Sequence, residues 1–367
     1  MRINYISNLP LDEVSGGWSG INFRIYQELT KHFEVNYVGP INPDSFFLEK
    51  GISKFKRLTG SKGSFHFFSE RRLKKIKELV KGQLKEGHYN FFFGQTPWIG
   101  CDFSTPYGTY MDAAFPTYME VYSDVNSFLD SDLDRINKKE EEWLGRAKHL
   151  FMGSNWAWEE MNKYYTIDNS KKRIVKVGGN ISLPSEDKYR NETILLFISL
   201  NFERKGGYTC VKIFEEFRKI YPEAELFIIG QKPPEEVLGK AGVKYQGLLD
   251  KNNPEDLNKF ISILERAFFL IHPTVMDTMG AVIIEAGYFG CPTLAPDSFG
   301  IPDLLLDGKT GILIENVNDP QLYLKELLFY KHNQEPYLKM RDTAMTYCQM
   351  ELTYSKVVSK IVDEINP

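Results

Sequence analysis

Thr193-Ile194-Leu195-Leu196-Phe197-Ile198-Ser199, with Asn201-Phe202-Glu203-Arg204-Lys205-Gly206-Gly207 just beyond it, decides the fold class. The first stretch is a continuous apolar run, as a strand covered on both faces requires. The second places a basic pair and two glycines where that strand ends and a helix over 206–220 is predicted to begin. A strand at Glu225–Gly230, a short strand near Val243–Gln246, a helix over Pro254–Ala267 and a strand at Phe268–His272 continue the alternation. A turn then leads into a helix over Ala281–Gly290. Strand and helix in alternation mean α/β architecture with a parallel sheet.

Toward the N-terminus the same pattern recurs. Arg2–Ser7 reads as a buried strand, followed by the loop Ser15-Gly16-Gly17-Trp18-Ser19-Gly20 and a helix over Ile21–His32. Strands are predicted at Glu34–Val38, Tyr89–Phe93, Pro106–Met111 and His149–Gly153, with a charged helix over Leu133–Ala147. A chain of 367 residues is too long for one ordinary core. The polar stretch Ser182–Asp187 reads as the linker, giving domains 1–184 and 185–350. The last segment, 351–367, carries a predicted helix at Thr353–Ile365 that is expected to pack back on the first domain. Two doubly wound domains facing across a cleft are the expected architecture, with ligands beyond the carboxyl ends of the strands.

Composition narrows the function classes. A net charge of −4 argues against a dedicated nucleic-acid binder. No apolar run approaches the roughly 20 residues that cross a bilayer, and Met1–Ser7 lacks the apolar stretch of a signal peptide. Cys101, Cys210, Cys291 and Cys348 form no CxxC pair, so reduced core thiols in a cytoplasmic protein are expected. No GxGxxG follows either leading strand, which disfavours a dinucleotide oxidoreductase.

The richest chemistry lies in Ile271-His272-Pro273-Thr274-Val275-Met276-Asp277-Thr278-Met279-Gly280-Ala281-Val282-Ile283-Ile284-Glu285-Ala286. Here a strand ends, a polar turn follows and a helix starts. Free N–H groups and the helix dipole at such a start attract an anion. Gly280 lets a diphosphate approach the backbone. Eight positions separate Asp277 from Glu285, so on a continuous helix both carboxylates project toward one side. Taken alone, Asp277 reads as a helix N-cap. Glu285, set among Ala281, Val282, Ile283, Ile284 and Ala286, is a buried carboxylate that needs a partner. Arg204 and Lys205 suit a pyrophosphate, or are two charges on a solvated loop.

Segment 277–311 runs Asp277, seven residues, Glu285-Ala286, then Gly290 and Pro292, ending in Gly300-Ile301-Pro302-Asp303-Leu304-Leu305-Leu306-Asp307-Gly308-Lys309-Thr310-Gly311. It resembles the donor signature of the family-4 retaining glycosyltransferases of GT-B fold, whose usual form has Glu at the first acidic position. Glu203–Gly207 is similar to that family's basic-glycine loop. Gly16-Gly17 and Gly153-Ser154-Asn155-Trp156-Ala157 also resemble it. The resemblance implies transfer of a sugar from a nucleotide-sugar donor to a glycan or lipid-linked acceptor, with retention of configuration. It implies that Lys205 and Arg204 neutralise the donor diphosphate and that Thr278, Met279 and Gly280 cradle it or the sugar. Glu285 would hold the ribose, Asp277 the sugar hydroxyls, and Gly247-Leu248 would lie near the base, with Gly16-Gly17 also on the donor side. The nucleotide sugar is then a substrate, and no cofactor is expected. No Asp-x-Asp metal motif serves the diphosphate, so the reaction is expected to be metal-independent.

The acceptor belongs in the first domain on this reading. Trp18 either stacks on a sugar or pins its loop to the core. Asp112, in Tyr110-Met111-Asp112-Ala113-Ala114-Phe115, stands in a region where many relatives carry a histidine. It is a candidate base, or a cap or turn residue. Between Lys50 and Lys85 there are twelve Lys/Arg and two acidic residues. A basic amphipathic helix over 71–85 can lie on an anionic membrane surface and hold the enzyme at the inner face of the membrane. Alternatively its stripe of Leu73, Ile76, Val80 and Leu84 packs on the sheet, or the basic residues meet a phosphate-bearing acceptor. The competing functions are a sugar-nucleotide epimerase, a phosphorylase and a non-catalytic sugar-binding relative.

Overall fold

The computed structural model describes residues 1–11, 18, 20–58 and 61–366, with backbone only at 48–50, 52, 56 and 57. The chain divides into two compact units, Met1–Lys176 with Val357–Pro367, and Val177–Lys356. The break after Lys176 thus comes before the polar stretch at 182–187, because the residues from Val177 onward pack within the second unit.

In the first unit, β1 (Arg2–Ile6), α1 (Ile21–Leu29), β2 (Glu34–Val38), α2 (Phe47–Leu58), α3 (Glu70–Lys81) and β3 (Tyr89–Phe93) come first. After them run β4 (Tyr107–Met111), α4 (Phe115–Tyr122), α5 (Asp130–Arg146), β5 (His149–Met152), α6 (Asn155–Met161) and β6 (Lys172–Ile174). All neighbouring strands are parallel, in the order β2-β1-β3-β4-β5-β6. The order reverses between β1 and β3.

The second unit begins with β7 (Ile194–Ser199), α7 (Gly207–Ile220), β8 (Glu225–Gly230), α8 (Glu235–Leu238), β9 (Val243–Gly247) and α9 (Pro254–Arg266). It continues with β10 (Phe269–Ile271), α10 (Ala281–Tyr288), β11 (Thr293–Pro296), β12 (Gly311–Ile314), α11 (Pro320–His332) and α12 (Gln334–Glu351). In α13 (Tyr354–Ile365) the part from Val357 belongs to the first unit. The sheet order β9-β8-β7-β10-β11-β12 is that of a Rossmann domain, with the reversal between β7 and β10. Every residue of β7 is buried, as its apolar run requires. Among the described residues, no helix is long and apolar enough to cross a membrane.

Of the readings of the stripe at 71–85, packing on the sheet is the one that fits the structure. Leu73, Ile76 and Val80 of α3 are buried, and Ile76 and Val80 join the core of the first unit. Arg72, one of the basic residues flanking the stripe, is buried too. Its guanidinium donates to Pro43 O, Phe67 O and Asn42 Oδ1 at 2.7–2.8 Å. The stripe therefore holds α3 to the sheet and has no apolar face left for lipid.

One buried charge organises the first unit. Glu140 of α5 is fully buried and accepts from Thr96 Oγ1 (2.6 Å), the Phe115 amide (2.6 Å) and the Tyr165 hydroxyl (3.0 Å). It thereby ties the loops after β3 and β4 to α5. Burial pushes its carboxyl up to about 7, against the hydrogen bonds from Thr96 and Phe115. A raised acid pKa in the folded state means that the folded chain holds a proton which the unfolded chain releases near pH 4.5. Stability should therefore fall as pH rises from about 4.5 through 7, by on the order of 3 kcal/mol. Glu140→Gln places its carbonyl toward Phe115 and its amide toward Thr96, so the variant should fold and lose this slope. Thermal midpoints across that pH window measure it.

Candidate functional site

The two pieces of sequence that looked chemical meet at the reversal between β7 and β10. The loop after β7 is coiled tightly, with the Lys205 amide donating to Asn201 O and the Gly207 amide to Phe202 O. Gly206 adopts φ +79°, and a Cβ there would stand 2.0 Å from the Pro273 carbonyl oxygen. Only glycine permits both that backbone and that approach.

Across this contact Lys205 reaches the turn after β10. Its Nζ donates to Met276 O at 2.8 Å and pairs with Asp277 Oδ2 at 2.8 Å. His272 Nε2 lies 3.0 Å from the same Oδ2, while Asp277 Oδ1 accepts the Met279 amide at 3.3 Å. Burial raises the Asp277 pKa, but the hydrogen bond from His272 and the charge of Lys205 outweigh it, so the carboxyl titrates below its ordinary value. An ionised Asp277 makes Nε2 of His272 the donor. Arg204 is exposed, with Nη2 2.8 Å from Met276 Sδ.

Asp277 is neither on the helix nor its N-cap. The α10 helix starts at Ala281 with Gly280, which has no side chain to cap it, as its N-cap residue. Asp277 instead closes a turn with Met279. The expectation that Asp277 and Glu285 project from one helix face is corrected accordingly, and the two carboxylates belong to separate clusters. Thr278 is buried, and Met279 is half-buried. The backbone of 278–280 thus leads directly into an uncapped helix start, where amides and dipole favour an anion.

Glu285 has no exposed surface. Its partners are Lys251 Nζ, at 2.6 and 2.5 Å from its two oxygens, and the Asn180 amide at 3.1 Å. Lys251 also lies 4.7 Å from the Phe260 ring centroid. A buried carboxylate in need of a partner was legible; the partner was not, because it comes from the loop after β9. Gly247 ends that strand at φ +99° and Leu248 is exposed, both in the same loop region as Lys251. His272 was within the quoted stretch, and its position at the end of an apolar strand was the available signal.

In the first unit, Gly16 and Gly17 lie outside the described residues. Trp18 has φ +68°, and its ring packs edge-on against Phe93 at 4.8 Å and near Tyr110 at 6.1 Å. A bulky residue in the left-handed region carries backbone strain, which these contacts at the ends of β3 and β4 offset. Trp18 therefore acts as an anchor in this state. Asp112 follows β4 and is half-buried; α4 is capped by Ala114, so Asp112 is not its cap. The Tyr110 hydroxyl is pushed up by burial and then by the charge of Asp112.

Residues 181–346 match the family model "Glycosyl transferases group 1". The chain is 20% identical over 212 residues to the D-inositol 3-phosphate glycosyltransferase of Corynebacterium diphtheriae, covering 51% of this chain and 49% of that protein. It is 30% identical over 211 residues to an uncharacterized glycosyltransferase of Haemophilus influenzae, covering 56% of each. The chain thus spans about half the length of these curated relatives. Among solved structures it resembles the sucrose-phosphate synthase of Thermosynechococcus elongatus (TM-score 0.71, 14% identity, 99% of this chain and 98% of that one). WaaG, a glycosyltransferase involved in lipopolysaccharide biosynthesis, gives TM-score 0.68 at 15% identity over 99% of both chains. Anabaena HepE in complex with UDP gives 0.67 at 12%, covering 100% of this chain and 99% of that one. At these identities the likeness shows the fold, which is GT-B.

The Lys251–Glu285 pair is directly testable. Lys251→Met leaves Glu285 buried without its cation, a loss of about 3–5 kcal/mol for a buried pair. Denaturant titration should show that loss, and the double variant with Glu285→Gln should recover much of it.

Proposed function

We propose that the chain, whose residues 181–346 match the group 1 glycosyl transferase family model and whose fold is GT-B, transfers a sugar from a nucleotide-sugar donor with retention of configuration. One observation carries the reading. Lys205 Nζ is held at the switch point of a Rossmann sheet, beside an uncapped helix start, by Asp277 and Met276 O.

The main chemical task in such a transfer is to stabilise the departing nucleoside diphosphate as its charge grows. Preorganised cations and dipoles do this without reorganisation at the moment of reaction. Lys205, Arg204 and the amides of Thr278, Met279 and Gly280 are the groups we assign to it, with no metal required. When the diphosphate enters, Lys205 exchanges Asp277 for phosphate oxygens, and Asp277 becomes available to the hydroxyls of the sugar. Glu285 takes the ribose in exchange for Lys251, with Gly247 and Leu248 toward the base. The HepE complexes with UDP and UDP-glucose make UDP the first nucleotide to test. The acceptor, a glycan or lipid-linked glycan, is assigned to the first unit, where Gly16-Gly17, Trp18 and Asp112 follow β1 and β4.

The same reading gives a cytoplasmic enzyme that works at an anionic membrane surface. The surface that suits this is α2, not α3. Phe47, Phe55 and Leu58 are 87%, 68% and 76% exposed on α2 and recur along one side of it, in a stretch rich in Lys and Arg.

Thermal-shift titration with nucleoside diphosphates should raise the unfolding midpoint of the chain. Lys205→Ala should abolish that rise and lower kcat/KM by about 10²–10³-fold, the scale of one lost transition-state charge contact. Asp277→Asn should bind the diphosphate more tightly than wild type, because Lys205 loses its competitor, yet transfer more slowly. No nucleotide response in any form of the protein would refute the transferase reading. For the membrane, flotation with anionic liposomes at low salt should carry the wild type, and Phe55→Ser with Leu58→Ser should remain at the bottom.

A further inference from the structure

A depression of about 240 Å³ opens in the first unit, lined by Phe65, His66, Ser69, Glu70, Asp132 and Arg135 together with Ser64. None of these residues has been assigned a role above. Topology fixes which end of the sheet it occupies. Helix α3 ends shortly before β3 begins, and α5 ends three residues before β5. Their C-termini therefore lie toward the amino ends of the strands, and their N-termini toward the carboxyl ends, the side on which parallel sheets bind ligands. Ser69 is the N-cap of α3, and Asp132 lies in the first turn of α5.

The lining is a polar framework with an aromatic wall. Arg135 Nη1 pairs with Glu70 Oε1 at 3.1 Å and Nη2 with Asp132 Oδ1 at 3.2 Å, linking the two helices. Asp132 Oδ2 accepts the Phe65 amide at 2.9 Å and so fixes the segment before α3. The Phe65 ring lies 5.3 Å from that of Phe115, the first residue of α4 and three positions after Asp112. Glu140 holds the Phe115 amide from the other side. The depression is therefore continuous in packing with the loop to which the acceptor is assigned.

Charge and size select the ligand. The two carboxylates are balanced by Arg135 and by Lys139, which pairs with Glu70 Oε2 at 3.1 Å, and leave no positive excess for a phosphate. Beyond these pairs each carboxylate oxygen keeps a lone pair and each Arg135 Nη a second N–H, acceptors and donors that match neighbouring hydroxyls on a sugar ring. Serine hydroxyls and an aromatic wall complete that chemistry. The volume lies below the about 300–1,000 Å³ of sites for drug-sized ligands, so it suits a single ring. We propose that this depression is a subsite for one neutral sugar residue of the acceptor glycan. The assignment to the acceptor rests on the transferase reading, while sugar binding itself does not.

The test uses the full chain and simple probes. Saturation-transfer difference NMR with the methyl pyranosides of glucose, galactose, mannose and N-acetylglucosamine should show contact with at least one at millimolar concentration. Arg135→Gln should abolish that signal with an unchanged thermal midpoint. His66→Ala, which leaves the Arg135 ion pairs intact, should weaken it and serves if Arg135→Gln fails to fold. With a productive acceptor, either variant should raise the acceptor KM about tenfold while the nucleotide response stays as in wild type. No signal with any pyranoside, or a signal indifferent to both variants, overturns the subsite even if nucleotides bind. A signal lost in the variants, in a protein with no nucleotide response, upholds the sugar site and removes the transferase reading instead.

Discussion

The contact between Gly206 and the Pro273 carbonyl sets the geometry of the second unit's strand ends. The loop after β7 and the turn after β10 come from neighbouring strands on opposite sides of the sheet's reversal, and nothing in sheet geometry obliges them to touch. They touch because Gly206 has no Cβ where one would stand 2.0 Å from an oxygen. Lys205, the next residue back, is then carried to within 2.8 Å of both Met276 O and Asp277 Oδ2. The ammonium is positioned by backbone before any ligand arrives, and preorganisation of this kind is what makes a fixed charge effective.

The second unit pairs its buried charges, whereas the first unit holds Arg72 and Glu140 by hydrogen bonds to neutral groups. Asp277 is shared by His272 and Lys205, and Glu285 is held by Lys251 and a backbone amide. Arg341, buried in α12, makes a two-pronged bond to Asp187 at 2.6 and 2.7 Å and donates to the carbonyls of Ala267 and Phe289. That arrangement fastens the segment before β7 to the helices behind it. Glu140 in the first unit has hydrogen-bond donors and no cation, and its pKa is the one driven upward. The contrast is physical: a donor offsets part of the desolvation of a carboxylate, whereas a cation offsets more.

Most of the alternation was legible, because β7 and its partners are covered on both faces and must be apolar throughout. The elements left unread are short or lack a one-sided pattern. The α6 helix is short, β11 and β12 have four residues each, and α11 and α12 lack a simple apolar stripe because they pack on several sides. The 71–85 stripe shows what periodicity leaves open. Periodicity reports that a helix has an apolar side, and only tertiary structure reports what covers it, here the sheet beneath Ile76 and Val80. Within the site, Lys205 and Glu285 could be named because each is an exception to its surroundings: a cation at a strand end, and a carboxylate in an apolar helix. Lys251 could not, since it is ordinary in sequence and acquires meaning only through a partner brought near by folding, and His272 offered only its place at the end of an apolar strand.

Asp277, where the donor signature that this segment resembles has Glu, takes on a structural sense from these contacts. A carboxylate one methylene shorter sits closer to its own backbone, where His272 at 2% exposure meets it on Oδ2 and the Met279 amide on Oδ1. Its charge is thus held inside the turn, and Lys205 must lean inward to reach it. His272 and Asp277 therefore work as a matched pair, with the depth of the carboxylate set by the histidine beneath it. That depth in turn decides how far Lys205 stands from the helix start at Ala281, and so how much of an incoming diphosphate the two can share.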